Sequence, residues 1–171
     1  MRPRSIFRRR RSRGQALVEF ALIFPLALLL LLAVFDVGRA VFVYNGLVNA
    51  AREGARLAIV NQDKALVGQR VQAEAFGTTI SNLGNPNDLV SYFHIDPDPD
   101  DPTANPQCTT VVTGCVAVVT ARTGWSAITP IIGSIIGPIQ LTARSELPVE
   151  LVCPNPKYPV YATSNLCPKQ P

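Results

Sequence analysis

Residues 16–35 form an apolar run broken at one position, Glu19. At about 1.5 Å per residue, a helix of that length spans about 30 Å, the thickness of a bilayer's hydrocarbon core. The helical pattern does not stop there. Past Arg39, the residues Val41, Tyr44, Val48, Ala51, Ala55 and Ile59 recur at helical spacing, while Asn45, Asn49, Arg52 and Arg56 mark another face. One helix is predicted over residues 15–60, about 45 residues and about 68 Å long. Its first half belongs in lipid, and its second half stands in water with one stripe buried. A cleaved secretory signal has a shorter run that ends at an A-x-A-like site. Here the run ends in Val34-Phe35-Asp36-Val37-Gly38-Arg39 and the helix continues, so it is read as a retained membrane anchor.

After Val60 the pattern changes. Asn61 and Asp63 interrupt it, and Asp63 is a suitable N-cap for a second helix over 64–76, with Leu66, Val67, Val71 and Ala75 on its apolar face. Gly77 ends that helix. Residues 81–88 are turn-rich, and 89–95 read as a strand. Residues 96–107 carry four prolines and four aspartates and form a loop. Strands are predicted at 109–112, 116–121 and 139–145, with an apolar loop at 124–138 between the last two. The chain therefore divides into a basic leader (1–14), the long helix and its extension (15–60), a helix-plus-sheet domain (61–147) and a Pro/Cys-rich tail (148–171). The fold class is α+β: a long N-terminal transmembrane helix running into a small antiparallel β-sheet domain.

Charge orients this arrangement. The chain has 16 Lys+Arg against 12 Asp+Glu, but seven arginines, at 2, 4, 8, 9, 10, 11 and 13, precede Gly14 with no acid among them. Beyond the leader the chain is mildly acidic. A basic flank beside an apolar run stays on the cytoplasmic side, which places the domain across the inner membrane. Nucleic-acid binding is the competing use of such an arm; it is set aside because the apolar run follows at once. Cys108, Cys115, Cys153 and Cys167 all fall on the oxidising side and are disulfide candidates. Of three connectivities, the local one is chosen, Cys108 with Cys115 and Cys153 with Cys167.

No chemistry-bearing constellation emerges. Neither cysteine pair has zinc-site spacing, and there is one histidine, His94. The segment beginning at Asp96 opens like a calcium loop. It lacks the glycine at the sixth position, occupied by Asp101, and the glutamate at the twelfth, occupied by Gln107. No nucleotide-binding, hydrolase or metalloprotease motif occurs. The reading is a non-enzyme with no cofactor and no metal.

The informative flaw is Glu19. A carboxylate inside an apolar run is costly in lipid and calls for a partner. Cleavage after Gly14 would give Gln15 a new α-ammonium one helical turn from Glu19. The carboxylate could instead accept the ammonium of a neighbouring subunit, or simply snorkel to the interface; the chemistry leaves all three open. Pro25 lies inside the helix, where it removes one backbone donor. Membrane helices tolerate such prolines, and a kink could equally serve helix packing.

Gly-Gln-Ala-Leu-Val-Glu-Phe-Ala-Leu-Ile-Phe-Pro at 14–25, Asp36-Val37-Gly38-Arg39 and Asn49-Ala50-Ala51-Arg52-Glu53-Gly54-Ala55-Arg56 closely resemble the TadE-like family of tight-adherence (Flp-type) pilus assembly proteins. Trp125 to Pro130 resembles that family's aromatic-x-x-x-T-P loop, and 139–145 its final strand. The resemblance implies a pilin-like architecture and a minor pilin or pseudopilin in the inner membrane, or in the pilus itself. Its partners would be other pilins and the assembly machinery. It also implies prepilin-peptidase processing at Gly14 and Gln15, with Glu19 and Phe20 at the fifth and sixth mature positions. Gln15 departs from the apolar first residue common in pilins, which puts processing in question. Glu19, Phe20 and Pro25 are the expected assembly and helix-packing residues. The alternative is a single-pass, membrane-tethered binding or adhesion module that never enters a filament.

Overall fold

The computed structural model of the protein describes residues 13–94, 107–154 and 167–168. The architecture is α+β. A single helix, α1 (Arg13–Ala58, 46 residues), runs uninterrupted through Pro25. It is followed by α2 (Lys64–Ala73), a single turn α3 (Pro86–Leu89) and the strands β1 (Val90–His94) and β2 (Cys115–Trp125). A short helix, α4 (Pro130–Ile136), and the strand β3 (Ile139–Pro148) complete it. The three strands form an antiparallel meander in the order β1-β2-β3. In its register Val90 faces Val119, and Val119 faces Ser145.

α1 is two helices in physical terms. Its most apolar stretch has a mean hydropathy of 2.7, and none of it is buried against the rest of the protein. A soluble core helix of that hydropathy would be covered; this one is bare, as a single-pass membrane anchor must be. The second half packs on β2, β3 and α2. There Leu47, Ala50, Ala51, Ala55, Leu57 and Ala58 are almost wholly buried. The same unbroken helix thus supplies the spine of the domain, as the 15–60 pattern predicts.

Small residues let the helix lie close to the sheet. The buried face of β2 presents Ala117, Val119 and Ala121 to the alanine-rich stripe of α1. The tightest point is Gly54. A Cβ there would overlap Val71 of α2 and come within 3.2 Å of Val119 Cγ1. Next to it Glu53 pairs with Arg56 (2.7 Å) on its own helix and Arg70 (3.7 Å) on α2.

Several elements depart from the sequence reading. α2 begins where expected, with Asp63 accepting from the Ala65 and Leu66 amides. It stops at Ala73, because the chain reverses through Phe76 (φ 41°) and Gly77 (φ 74°) and Gln72 bonds the backbone of Thr78 and Ile80 beyond the reversal. The turn-rich 81–88 segment holds α3, so the strand starts at Val90 and not at Leu89. No strand forms at 109–112. The Cys108–Cys115 disulfide and Gly114 (φ 116°) curl those residues into a closed loop. β2 and β3 each run longer than predicted, since they pair with each other from Val116–Pro148 to Trp125–Ile139. The calcium-like segment lies outside the described residues, apart from Gln107, which bridges Phe93.

Both local disulfides form, Cys108–Cys115 and Cys153–Cys167. The second ties the tail to the far end of α1. There Gln62 donates to the Leu151 carbonyl (2.9 Å), and buried Asn61 donates to the Pro168 carbonyl (2.9 Å). Tyr92 is buried and donates to the Ala58 carbonyl at 3.3 Å; burial pushes its phenol well above the ordinary range.

Gly54→Ala overpacks the α1–α2–β2 junction and is expected to cost about 1–3 kcal/mol. Gly38→Ala, where a Cβ meets nothing within 4 Å, is expected to cost none. Chemical denaturation of the detergent-solubilised full chain compares the two; equal stability of both variants would contradict this packing.

Candidate functional site

The residues singled out for processing and assembly all lie on the bare half of α1. Gly14, Gln15, Glu19, Phe20 and Pro25 are exposed, and a Cβ on Gly14 would meet nothing within 4 Å. Phe20 stacks on Phe24, one turn along, with ring centroids 5.2 Å apart. Glu19 has no hydrogen bond or ion pair among the described residues. Among the described residues, the fold brings Gly14, Glu19, Phe20 and Pro25 to no other element.

The fold does assemble a polar cluster where the apolar run ends. Asp36, the first residue past that run, is 3% exposed although it stands on a helix bare on both sides of it. Its carboxylate accepts four hydrogen bonds. Oδ1 takes the Ile128 amide at 3.0 Å and Arg39 Nη1 at 3.2 Å. Oδ2 takes the Thr129 amide at 2.9 Å and the Thr129 hydroxyl at 2.6 Å. Two of these donors are consecutive backbone amides at the entry to α4. Thr129 is the N-cap of α4 but makes no side-chain cap bond of its own, because its hydroxyl is given to Asp36. Pro130 follows at the first helical position, where a missing donor costs nothing.

The Thr129 hydroxyl, then the two backbone amides, hold the Asp36 carboxyl down at about 2, against an ordinary 3.8. Desolvation opposes them only weakly. The carboxylate is covered by its immediate neighbours but sits at the edge of the domain, where little protein surrounds it at longer range. Arg39 adds a further hydrogen bond and lies over Trp125, its guanidinium carbon 6.0 Å from the ring centroid, at the outer limit of a cation–π contact. Trp125 is itself nearly buried, and its Nε1 has no acceptor among the described residues.

The cluster therefore joins three pieces far apart in sequence: Asp36 and Arg39 on α1, Trp125 at the end of β2, and Ile128 and Thr129 leading into α4. It is a mechanical joint: both oxygens of its carboxylate are engaged by groups of the chain itself. The other grouping of ligand-type atoms, His94 beside Cys108 and Cys115, has both sulfurs committed to a disulfide. A disulfide sulfur is not the thiolate that zinc requires.

Asp36, Arg39, Trp125 and Thr129 each stand out in the sequence, but nothing there connects them. The one available signal is an acid placed directly after an apolar run. Only the fold shows that the acid points to the β2–β3 connection.

The TadE-like protein family model matches residues 14–56. Over that stretch the chain is similar to TadE-like proteins. No curated protein and no solved structure matches the chain. The TadE-like segment is α1 almost to its end, so it takes in Glu19 and Phe20, the Asp36–Arg39 half of the joint, and the Glu53–Gly54–Arg56 contact with α2. The receiving half of the joint, at Trp125 and Thr129, lies outside the match.

The lowered Asp36 pKa sets a direction for pH. Its contribution is complete above pH 3.8 and is lost as pH falls from there through about 2. The Ile128 and Thr129 amides bond different oxygens, so Asp36→Asn, which offers one acceptor oxygen in place of two, is expected to free one of them. Hydrogen exchange at the freed amide should rise severalfold at neutral pH, while β2 and β3 keep their protection. Unchanged exchange in the variant would show that the carboxylate does not hold the connection.

Proposed function

We propose that the chain is a membrane-anchored minor pilin or pseudopilin-like component of a tight-adherence (Flp-type) pilus assembly system, acting through helix packing and not through catalysis. The observation that carries this reading is the outward face of α1. Val37, Val41, Phe42 and Tyr44 are all exposed beyond the apolar run. A plain anchor needs apolar surface only in lipid. This helix keeps it for more than two further turns, then changes to Asn45, Asn49, Arg52 and Arg56. Phe42, Asn45, Gly46, Asn49 and Phe76 line a shallow apolar cleft of about 280 Å³ on the same side. A neighbouring helix entering there would cover a surface that water disfavours. The TadE-like match over the α1 part of this surface supports the pilus assignment.

Charge and redox chemistry support one orientation, with the arginine-rich leader in the cytoplasm and the disulfide-bonded domain outside. In this reading Glu19 meets a cationic or hydrogen-bonding group on a neighbouring subunit or on the assembly machinery, or the α-ammonium released if a prepilin peptidase cleaves after Gly14. Mass spectrometry of the membrane-extracted protein tests processing; a leader left intact in cells with an active peptidase would remove the last partner and leave the others.

Glu19→Ala is expected to insert in the membrane at the normal level and to reduce piliation at least tenfold. Piliation counts on cells carrying the variant as sole copy decide the matter, and normal counts refute the role of Glu19. A photocrosslinker at Phe42 should capture a pilin. If it captures none while the protein is anchored normally, the chain is a tethered module outside the filament.

A further inference from the structure

The connection between β2 and β3 carries an apolar surface that the helix-packing reading does not use. Residues 126–138 contain no charged residue. Ile128, Ile135 and Ile136 are 66%, 77% and 56% exposed. A charge-free surface connection with three bare isoleucines is unusual for a segment facing water, where turns are built from polar residues and glycine.

Its position in the fold indicates what covers it. Gly54 of α1 lies against Val119 of β2, and Arg39 lies over Trp125. Fifteen residues of helix rise about 22 Å, and six residues of strand about 20 Å. β2 therefore runs back along α1 toward the membrane, and the chain beyond Trp125 is the domain's membrane-proximal end. Asp36 fixes the level independently. It directly follows the apolar run, and it binds the Ile128 and Thr129 amides at 3.0 and 2.9 Å. The entry to α4 thus sits within about one helical turn of the hydrocarbon boundary, inside the headgroup layer. Arg39 and Trp125, beside it, are residue types at home at that depth.

We propose that residues 126–138 form a second, interfacial membrane contact, with Ile128, Ile135 and Ile136 immersed at the headgroup–acyl boundary of the leaflet facing the domain. The occupant is phospholipid. The entry to this segment is held at the end of the apolar run of α1 by the Asp36 joint. Two points of attachment do what a single helix cannot: they fix the rotation of the domain about α1 and so the direction in which the Phe42 face looks. The proposal rests on α1 crossing the bilayer, and the test separates the two.

The full-length protein is reconstituted in phosphatidylethanolamine/phosphatidylglycerol nanodiscs. Single cysteines at Leu31, Ile135 and Asn87 carry an environment-sensitive fluorophore, and quenching is read with lipids spin-labelled near the headgroup or deep in the chain. The Leu31 label should be quenched by the deep spin label. The Ile135 label should be blue-shifted and quenched severalfold more by the shallow spin label than the Asn87 label, which lies on the exposed α3 turn. Asp36→Ala should bring the Ile135 signal toward that of Asn87 and leave Leu31 unchanged. If Leu31 is quenched but Ile135 behaves like Asn87, the interfacial contact is overturned and the anchor stands. If Leu31 is not quenched, the anchor fails and the proposal falls with it. If Ile135 is blue-shifted without lipid quenching, and only at high protein-to-lipid ratio, a second copy covers the isoleucines and the proposal is wrong.

Discussion

One continuous helix has to satisfy two solvents. The apolar half of α1 is bare against its own protein, consistent with a single-pass membrane anchor whose solvent is lipid. The other half hides one stripe against a sheet and shows water the opposite face. Every other element is placed by that second half. β2 lies along it, α2 packs beside it, and the tail is tied to its far end through Asn61 and Gln62. A helix that ended at the membrane surface would leave the three-stranded sheet with one face uncovered. A sheet of that size does not bury enough apolar surface to stand alone.

This arrangement constrains the residues at the contact. Ala50, Ala51, Gly54, Ala55 and Ala58 against Ala117, Val119 and Ala121 bring backbone close to backbone, and so the small residues concentrate there. Bulk is supplied from the flanks by Leu47, Leu57, Leu89 and Tyr92. Such packing gives little surface per residue but a well-defined register, because a glycine that admits no Cβ cannot slide by one position. The register in turn carries β2 to the membrane-proximal end, where Trp125 meets Arg39 and the next residues meet Asp36.

The long helix, the second helix's start, the meander's last two strands and both disulfides were legible in the sequence, each for a local reason. Apolar periodicity marks α1, Asp63 caps α2, a β-branched run at 118–120 marks β2, apolar–polar alternation over 139–144 marks β3, and short spacing favours neighbouring cysteines. The departures share a different cause. The 109–112 segment has the composition of a strand, but the disulfide that closes it acts across the segment and leaves no mark inside it. α4 was hidden because residues 124–138 read as loop from their glycines and prolines, although Thr129-Pro130 is a fair helix start. The joint was hidden most completely. Asp36 and Thr129 are 93 residues apart, and nothing in either neighbourhood announces the other.

The two carboxylates that bracket the apolar run follow the same rule with opposite results. A carboxylate at the edge of lipid must find donors or give up its charge. Asp36 finds four within the chain, and they hold it ionised with its pKa near 2. Its demand is met, so it acts inward, fixing the domain to its anchor. Glu19 has no such donors among the described residues, and the bare helix around it offers none. In the proposed reading its partner lies on a neighbouring chain, the assembly machinery or the leader. The division of labour follows from where the fold places donors: the domain can fold back onto Asp36, because β2 returns along α1 to that level. No element of the described chain returns to Glu19, some 25 Å away near the opposite end of the run at about 1.5 Å per residue. An internal joint at one end of the run and an unmet carboxylate at the other are what a subunit that keeps its domain fixed while joining its neighbours through its anchor would require.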